Sequence, residues 1–290
     1  MLIRTASLLG KAGSGKRALW ITVRRNHTET VRQQEGEILT EFFQLANGDK
    51  IAYKRTKGSK SPGVIFLPGL LANMNGEKAK IVERYCGIYD HPFIRFDYRG
   101  LGQSTGNLKD VTSAIWLEDA FTVLDSLTNP GEPQVLVGSS MGAVMMMHLA
   151  IRRPERVQGL VGITLPYDYD QRLQESLTKE DKKIFAKGGG IPSGRGDFMY
   201  TQSFVTSAQS LCFSNRAQFP ISCPVRLVHG MKDTEVPWEL STKAVSLFES
   251  TDVQLILSKS ADHRFSQPQD LQILVNTLDQ LLKQFQLAAE

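Results

Sequence analysis

Short apolar runs alternate along the chain with longer polar stretches. Runs bounded by Gly, Pro, Asn or Asp are typical of strands that a parallel sheet buries on both faces. The first two are joined by Asn47-Gly48, a strong hairpin signal. The predicted strands are Ile38–Leu45, Lys50–Arg55, Gly63–Leu67, Phe93–Tyr98, Gln134–Gly138, Gly159–Thr164, Val225–His229 and Val253–Leu257.

Helical patterns fill several of the stretches between these strands. In Ser113–Leu127 an apolar residue recurs at each turn, as in a helix that buries one face. A second amphipathic stretch extends from Asp270 to about Leu287. Alternating strands and helices predict a mostly parallel, twisted sheet of about eight strands with helices on both faces. In a chain of 290 residues, we expect one α/β domain over residues 38–290.

One connection is too long to be a simple loop between a helix and a strand. Residues 167–220 combine a charged helical stretch over Asp170–Lys187, three glycines at 188–190 and a segment with Phe198, Tyr200 and Phe204. We predict an insertion that caps the sheet. Its aromatic side chains either select the substrate or only hold the insertion against the core, and the sequence leaves both roles open.

A serine lies between two glycines where a predicted strand meets an apolar, helix-like run. The motif Gly138-Ser139-Ser140-Met141-Gly142 matches the nucleophile elbow of the α/β-hydrolase fold, in which a strained turn raises one hydroxyl above the sheet. Glycine is needed because a Cβ would collide with the neighbouring strand and helix. The spacing selects Ser140 rather than Ser139. We therefore predict an α/β-hydrolase fold with Ser140 as the nucleophile.

A serine nucleophile needs a histidine as base and a carboxylate that orients it. In this fold the acid and then the histidine follow the serine along the chain. Of the five histidines, only His263 follows a late strand with an acid before it. Asp233, just beyond the preceding strand, is the predicted acid, and Glu235 and Asp262 are its rivals. An ordinary turn residue is the alternative interpretation of Asp233.

Two backbone N–H groups are expected to form an oxyanion hole. Met141, which follows the nucleophile, supplies the first at the start of a helix. Leu70 is predicted to supply the second, because Pro68 has no N–H and Gly69 serves the turn after its strand.

No metal or nucleotide site is predicted. His, Asp and Glu residues do not cluster at metal-ligand spacing, and the cysteines form no paired or CxxC pattern. Residues 10–16 fit part of a phosphate-binding loop, but Arg17 replaces its Ser or Thr and no strand–helix unit surrounds it. We therefore expect no cofactor. An odd set of cysteines suits a reducing compartment: they are Cys86, Cys212 and Cys223.

The first 28 residues differ in composition from the rest of the chain. They contain six Lys or Arg residues, several Ser and Thr, and no acid, which is the composition of a mitochondrial transit peptide. Without these six charges the formal net charge of +4 becomes −2, so we expect no binding to nucleic acid. The sequence has no apolar run that could cross a membrane and no heptad repeat, and a monomer is the simplest expectation.

Several separated segments together resemble one family. They are residues 61–69, 74–76, 94–98, 138–142, 229–233, 236–238 and 262–264. The resemblance is to the mitochondrial α/β-hydrolase domain-containing proteins and extends from about residue 61 to the C-terminus. It implies a serine hydrolase that removes S-palmitoyl groups from proteins and cleaves acyl glucuronides, with Ser140, Asp233 and His263 as its catalytic triad.

Two other classes of function stay open. The same fold hosts small-ester, lactone and C–C bond hydrolysis, which a triad alone does not exclude. A non-catalytic binding protein on this fold usually lacks one triad member, whereas all three are present here. The resemblance implies S-acylated proteins and small acyl esters or glucuronides as the partners.

Overall fold

The computed structural model describes residues 38–211 and 213–287. The predicted transit peptide (1–28) and Cys212 lie outside the described residues. The strands are β1 (Glu41–Gln44), β2 (Lys50–Thr56), β3 (Gly63–Leu67), β4 (Phe93–Phe96), β5 (Gln134–Ser139), β6 (Val157–Ile163), β7 (Gly190–Pro192), β8 (Met199–Thr201), β9 (Val225–Gly230) and β10 (Val253–Ser258). The helices are α1 (Glu77–Tyr89), α2 (Ser113–Leu127), α3 (Met141–Arg152), α4 (Tyr169–Ser176), α5 (Lys179–Ala186), α6 (Gln202–Ser210), α7 (Glu239–Val245) and α8 (Pro268–Leu287).

Eight strands form one sheet in the order β1-β2-β4-β3-β5-β6-β9-β10. The β1–β2 and β2–β4 pairs are antiparallel and the remaining pairs are parallel. Gly48 turns the β1–β2 hairpin with φ 91°, a conformation that favours glycine. The predicted mostly parallel sheet is confirmed. β1 is shorter than the predicted Ile38–Leu45, because its pairing with β2 begins at Glu41 opposite Tyr53.

Two pairs of helices pack on the sheet. Helices α1 and α8 contact each other, and the Tyr85 hydroxyl of α1 donates to Asp279 of α8 at 2.9 Å. Helices α2 and α3 form the second pair, and α3 packs along β5. Helix α2 has the predicted bounds and begins where the Thr112 hydroxyl accepts from the N–H of Ile115 at 3.2 Å. None of the helices within the described residues combines the length and apolarity of a membrane span.

The insertion over residues 167–220 contains α4, α5, the β7–β8 hairpin and α6. The single helical stretch predicted over Asp170–Lys187 is two helices. The break occurs because Thr178 and Asp181 form a reciprocal capping box that begins α5. Phe198 and Phe204 are buried, and their rings lie 6.1 and 5.7 Å from that of Trp116 on α2. These two aromatic residues therefore attach the insertion to the core.

Candidate active site

The turn between β5 and α3 holds Ser140 in a strained conformation, with φ 52° and ψ −120°. Its N–H donates to the carbonyl of Ile163 on the neighbouring strand at 2.8 Å. A Cβ at Gly138 would lie 2.5 Å from the carbonyl oxygen of Gly142, and one at Gly142 would overlap the carbonyl oxygen of Leu67. Both glycines are therefore required for the backbone that presents Ser140.

Asp233 lies in the loop after β9, with a fully buried side chain. Its Oδ1 accepts from the N–H groups of Glu235 and Val236, each at 2.8 Å. Its Oδ2 accepts from His263 at 2.8 Å and from His229 at 3.2 Å. Burial favours the neutral acid, but these hydrogen bonds outweigh it and hold the pKa of Asp233 well below its usual range. The carboxylate is thus ionised and fixed.

His263 lies in the loop after β10, with its Nδ1 directed to Asp233. The two rival acids have other positions. Asp262 accepts from backbone N–H groups of its own loop, those of Arg264 at 3.0 Å and Phe265 at 3.3 Å. Glu235 reaches the opposite ring nitrogen, and its Oε2 lies 3.4 Å from Nε2. The structure therefore brings Asp233, and neither rival, to the nitrogen that an orienting carboxylate contacts.

Ser140 and His263 line one cavity of about 740 Å³, including its open mouth. Within the part of the chain that the structure describes, no hydrogen bond joins the Ser140 hydroxyl to the imidazole. Catalytic hydrogen bonds are often long in unliganded enzymes and form in the substrate complex. The structure thus places the two side chains in one site without the contact that proton transfer needs.

The two predicted oxyanion donors also line this cavity, since Leu70 and Met141 both border it. Met141 begins α3, where the first backbone N–H groups have no partner inside the helix. Among the described residues, neither the N–H of Leu70 nor that of Met141 has a hydrogen-bond acceptor. Two backbone donors beside a serine can stabilise a developing oxyanion. No group of three or more His, Cys, Asp or Glu side chains within the described ranges could hold a metal ion.

The cavity lining combines polar and apolar side chains. The polar ones come largely from the insertion and include Tyr169, Arg172, Arg195 and Tyr200, together with Glu235. The apolar ones include Leu70, Val144, Met145, Ala208, Leu211 and Val236. The cavity can therefore contact both an apolar acyl group and a polar leaving group.

His229 was not among the site residues predicted from the sequence, because it precedes the acid along the chain. His229 is fully buried, and its Nε2–H is shared between Asp233 and the Val236 carbonyl at 3.1 Å. Its Nδ1 accepts from the Ser241 hydroxyl at 2.7 Å. His229 therefore positions the Asp233 carboxylate from behind. Its position at the end of β9, four residues before the acid, was the feature of the sequence that could have indicated this contact.

Comparison with known proteins assigns the chain to a family. Over 246 residues it is 44% identical to the mitochondrial palmitoyl-protein thioesterase ABHD10 of Mus musculus, covering 83% of this chain and 82% of that protein. It is 43% identical to the same-named protein of Bos taurus, covering 83% and 79%. The chain belongs to the ABHD10 family. A family model described as serine aminopeptidase, S33, matches residues 89–186, which include Ser140 but neither Asp233 nor His263.

A solved structure supports the same assignment to the ABHD10 family. The chain matches α/β hydrolase domain-containing protein 10 from mouse with a TM-score of 0.78 and 40% identity, covering 85% of this chain and 99% of that one. The predicted α/β-hydrolase fold and the predicted family resemblance are confirmed. As an ABHD10 family member, the chain is a serine hydrolase and a mitochondrial protein.

Proposed function

We propose that the chain is a thioesterase that removes S-palmitoyl groups from mitochondrial proteins through an acyl-enzyme on Ser140. The hydrogen bond between His263 and the ionised Asp233, in a cavity that Ser140 also lines, is the observation that carries this proposal. The relatives ABHD10 of Mus musculus and Bos taurus are named palmitoyl-protein thioesterases. The apolar residues that line the cavity suit a long acyl chain.

The reaction proceeds in two steps. His263 accepts the Ser140 proton through Nε2 as Oγ attacks the thioester carbonyl, while Asp233 stabilises the imidazolium. The N–H groups of Met141 and Leu70 bind the oxyanion, and the tetrahedral intermediate expels the thiol, which takes the proton from His263. Water then attacks the acyl-enzyme, His263 again accepts the proton, and the fatty acid leaves as Ser140 is restored.

Acyl glucuronides are a second candidate substrate class. Two cationic side chains, Arg172 and Arg195, line the cavity. A glucuronate leaving group carries a carboxylate, and arginine binds carboxylates through paired hydrogen bonds. This observation supports esterase activity on acyl glucuronides in the same active site.

Turnover of three substrate types separates these activities. Palmitoyl-cysteine peptides, acyl glucuronides and short p-nitrophenyl esters are compared for the wild type and for Ser140→Ala. Ser139→Ala is the matched control, since Ser139 lies on the buried strand next to the nucleophile. We expect Ser140→Ala to lose all three activities and Ser139→Ala to retain them. Preference for the short ester over palmitoyl peptide by the wild type would contradict the depalmitoylation proposal.

A further inference from the structure

Glu235 lies beside the ring nitrogen of His263 that Asp233 does not contact. Its Oε2 lies 3.4 Å from Nε2 of His263, the nitrogen that must accept the Ser140 proton. The same oxygen pairs with the guanidinium of Arg195, which lies between β7 and β8 of the insertion. The Glu235 carbonyl also accepts from Nη1 of Arg172 on α4 at 2.7 Å. Two residues of the insertion therefore hold Glu235 beside the imidazole.

The hydrogen-bonding capacity of histidine limits what this contact can be. When Nδ1 donates to Asp233, Nε2 of a neutral imidazole carries a lone pair and can only accept. A carboxylate has no proton to donate, so it repels that lone pair. Once the imidazole is protonated, Nε2 becomes a donor and the contact becomes an attractive ion pair. Glu235 therefore favours the imidazolium, which cannot accept a proton from Ser140.

Other charged groups near the His263 loop do not contact Nε2. The Asp262 carboxylate accepts from its own loop, and the Lys78 ammonium donates to the Arg264 carbonyl. Of the two ring nitrogens of His263, Asp233 contacts only Nδ1. Among the described residues, Glu235 is the acid at Nε2, and Arg195 is the cation that faces that acid directly.

We propose that Glu235 stabilises the imidazolium form of His263 and that Arg195 of the insertion sets how strongly it does so. Arg195 neutralises part of the Glu235 charge, which releases the imidazole to act as a base. Glu235 and Arg195 are thus positioning residues that link the insertion to the base. The inference rests on the proposed function, because it needs His263 as the proton acceptor.

The pH dependence of kcat/KM tests this link, because Glu235→Gln and Arg195→Gln should shift it in opposite directions. Glu235→Gln removes the charge at Nε2, so the acid limb of kcat/KM moves to lower pH. At a pH below the midpoint of this limb, kcat/KM as a fraction of its plateau value then rises roughly two- to fivefold. This range is the one expected for an ion pair whose carboxylate is 41% exposed. Arg195→Gln unmasks Glu235 and moves the limb to higher pH by a similar factor. The double variant matches Glu235→Gln, because Arg195 acts through Glu235.

Two variants serve as matched controls. Glu239→Gln removes an acid from α7 and Lys179→Gln removes a cation from α5, without a contact to His263, and both should keep the wild-type profile. An unmoved acid limb in Glu235→Gln, an equal loss of activity at every pH, or an Arg195→Gln shift that persists without Glu235 overturns the inference.

Failure of the proposed function is distinguishable from failure of this link. If His263→Ala retains wild-type turnover, His263 is not the base and the proposed function fails. If His263→Ala is inactive while the Glu235 and Arg195 variants keep the wild-type profile, the function stands and the link is refuted.

Discussion

Replacing Asp233 by Asn tests the orientation of His263 without changing the shape of the site. The carboxylate accepts four hydrogen bonds, two from histidine rings and two from backbone N–H groups. The backbone N–H groups of Glu235 and Val236 need an oxygen as acceptor, so the amide oxygen of the substituted Asn faces them. Its amide nitrogen must then face His263. That nitrogen donates, so the imidazole adopts its other tautomer and Nε2 no longer accepts the Ser140 proton. We expect kcat to fall about 10³- to 10⁴-fold, equivalent to about 4–5.5 kcal/mol.

The loss of stability should be much smaller than the loss of activity. His229 keeps the Val236 carbonyl as an acceptor, so about 1–3 kcal/mol of unfolding free energy is lost through mismatched polar groups. Hydrolysis of a p-nitrophenyl ester and thermal unfolding measure the two effects separately. Asp262→Asn is the control, since its Oδ1 accepts only from backbone N–H groups in its own loop. More than a tenth of wild-type kcat in Asp233→Asn, or an equal loss in Asp262→Asn, would refute the reasoning.

Three further predictions follow from the same geometry. Gly142→Ala should lower the free energy of unfolding by more than about 2 kcal/mol, because the added Cβ overlaps the Leu67 carbonyl oxygen. Denaturant titration measures this loss. Gly131→Ala is the control and should cost little, since open space surrounds the added Cβ. The low pKa of Asp233 stabilises the fold above the unfolded carboxyl pKa near 4, and this contribution is lost as pH falls further. The Tm difference between wild type and Asp233→Asn should therefore shrink from pH 7 to pH 3, and an unchanged difference contradicts this. Val144→Phe, which places a larger side chain in the cavity lining, should lower the palmitoyl-to-acetyl turnover ratio roughly tenfold, whereas an unchanged ratio places the acyl chain elsewhere.

The strands of the sheet could be predicted from sequence because burial on both faces leaves uninterrupted apolar runs. β3 and α2 have the predicted bounds. Helix α1 was not predicted, although Ala79, Val82 and Cys86 recur at helical spacing and are buried. In the insertion, a capping box at Thr178 ends the first helical stretch and begins α5. The pattern of charges from which the single helical stretch was predicted does not reveal this break.

The candidate site could be predicted in part for a similar reason. The elbow and the order of acid and histidine are local or topological features, so sequence alone predicts which residues approach one another. Which side of an imidazole a carboxylate contacts depends on how two loops fold in space. Glu235 was therefore a rival of Asp233 in the sequence, whereas the structure places it at the other nitrogen. The contact of Glu235 with Arg195 links positions 40 residues apart and has no sequence signal.

Labelling with a fluorophosphonate probe, followed by peptide mapping of the intact folded protein, tests the assignment of Ser140 most directly. The probe reacts only with a serine that a working base activates. We expect a single labelled serine at Ser140, lost in Ser140→Ala and His263→Ala but retained in Ser139→Ala. Folded protein that stays unlabelled, or that carries the label on another serine, would contradict the proposal that Ser140 is the nucleophile.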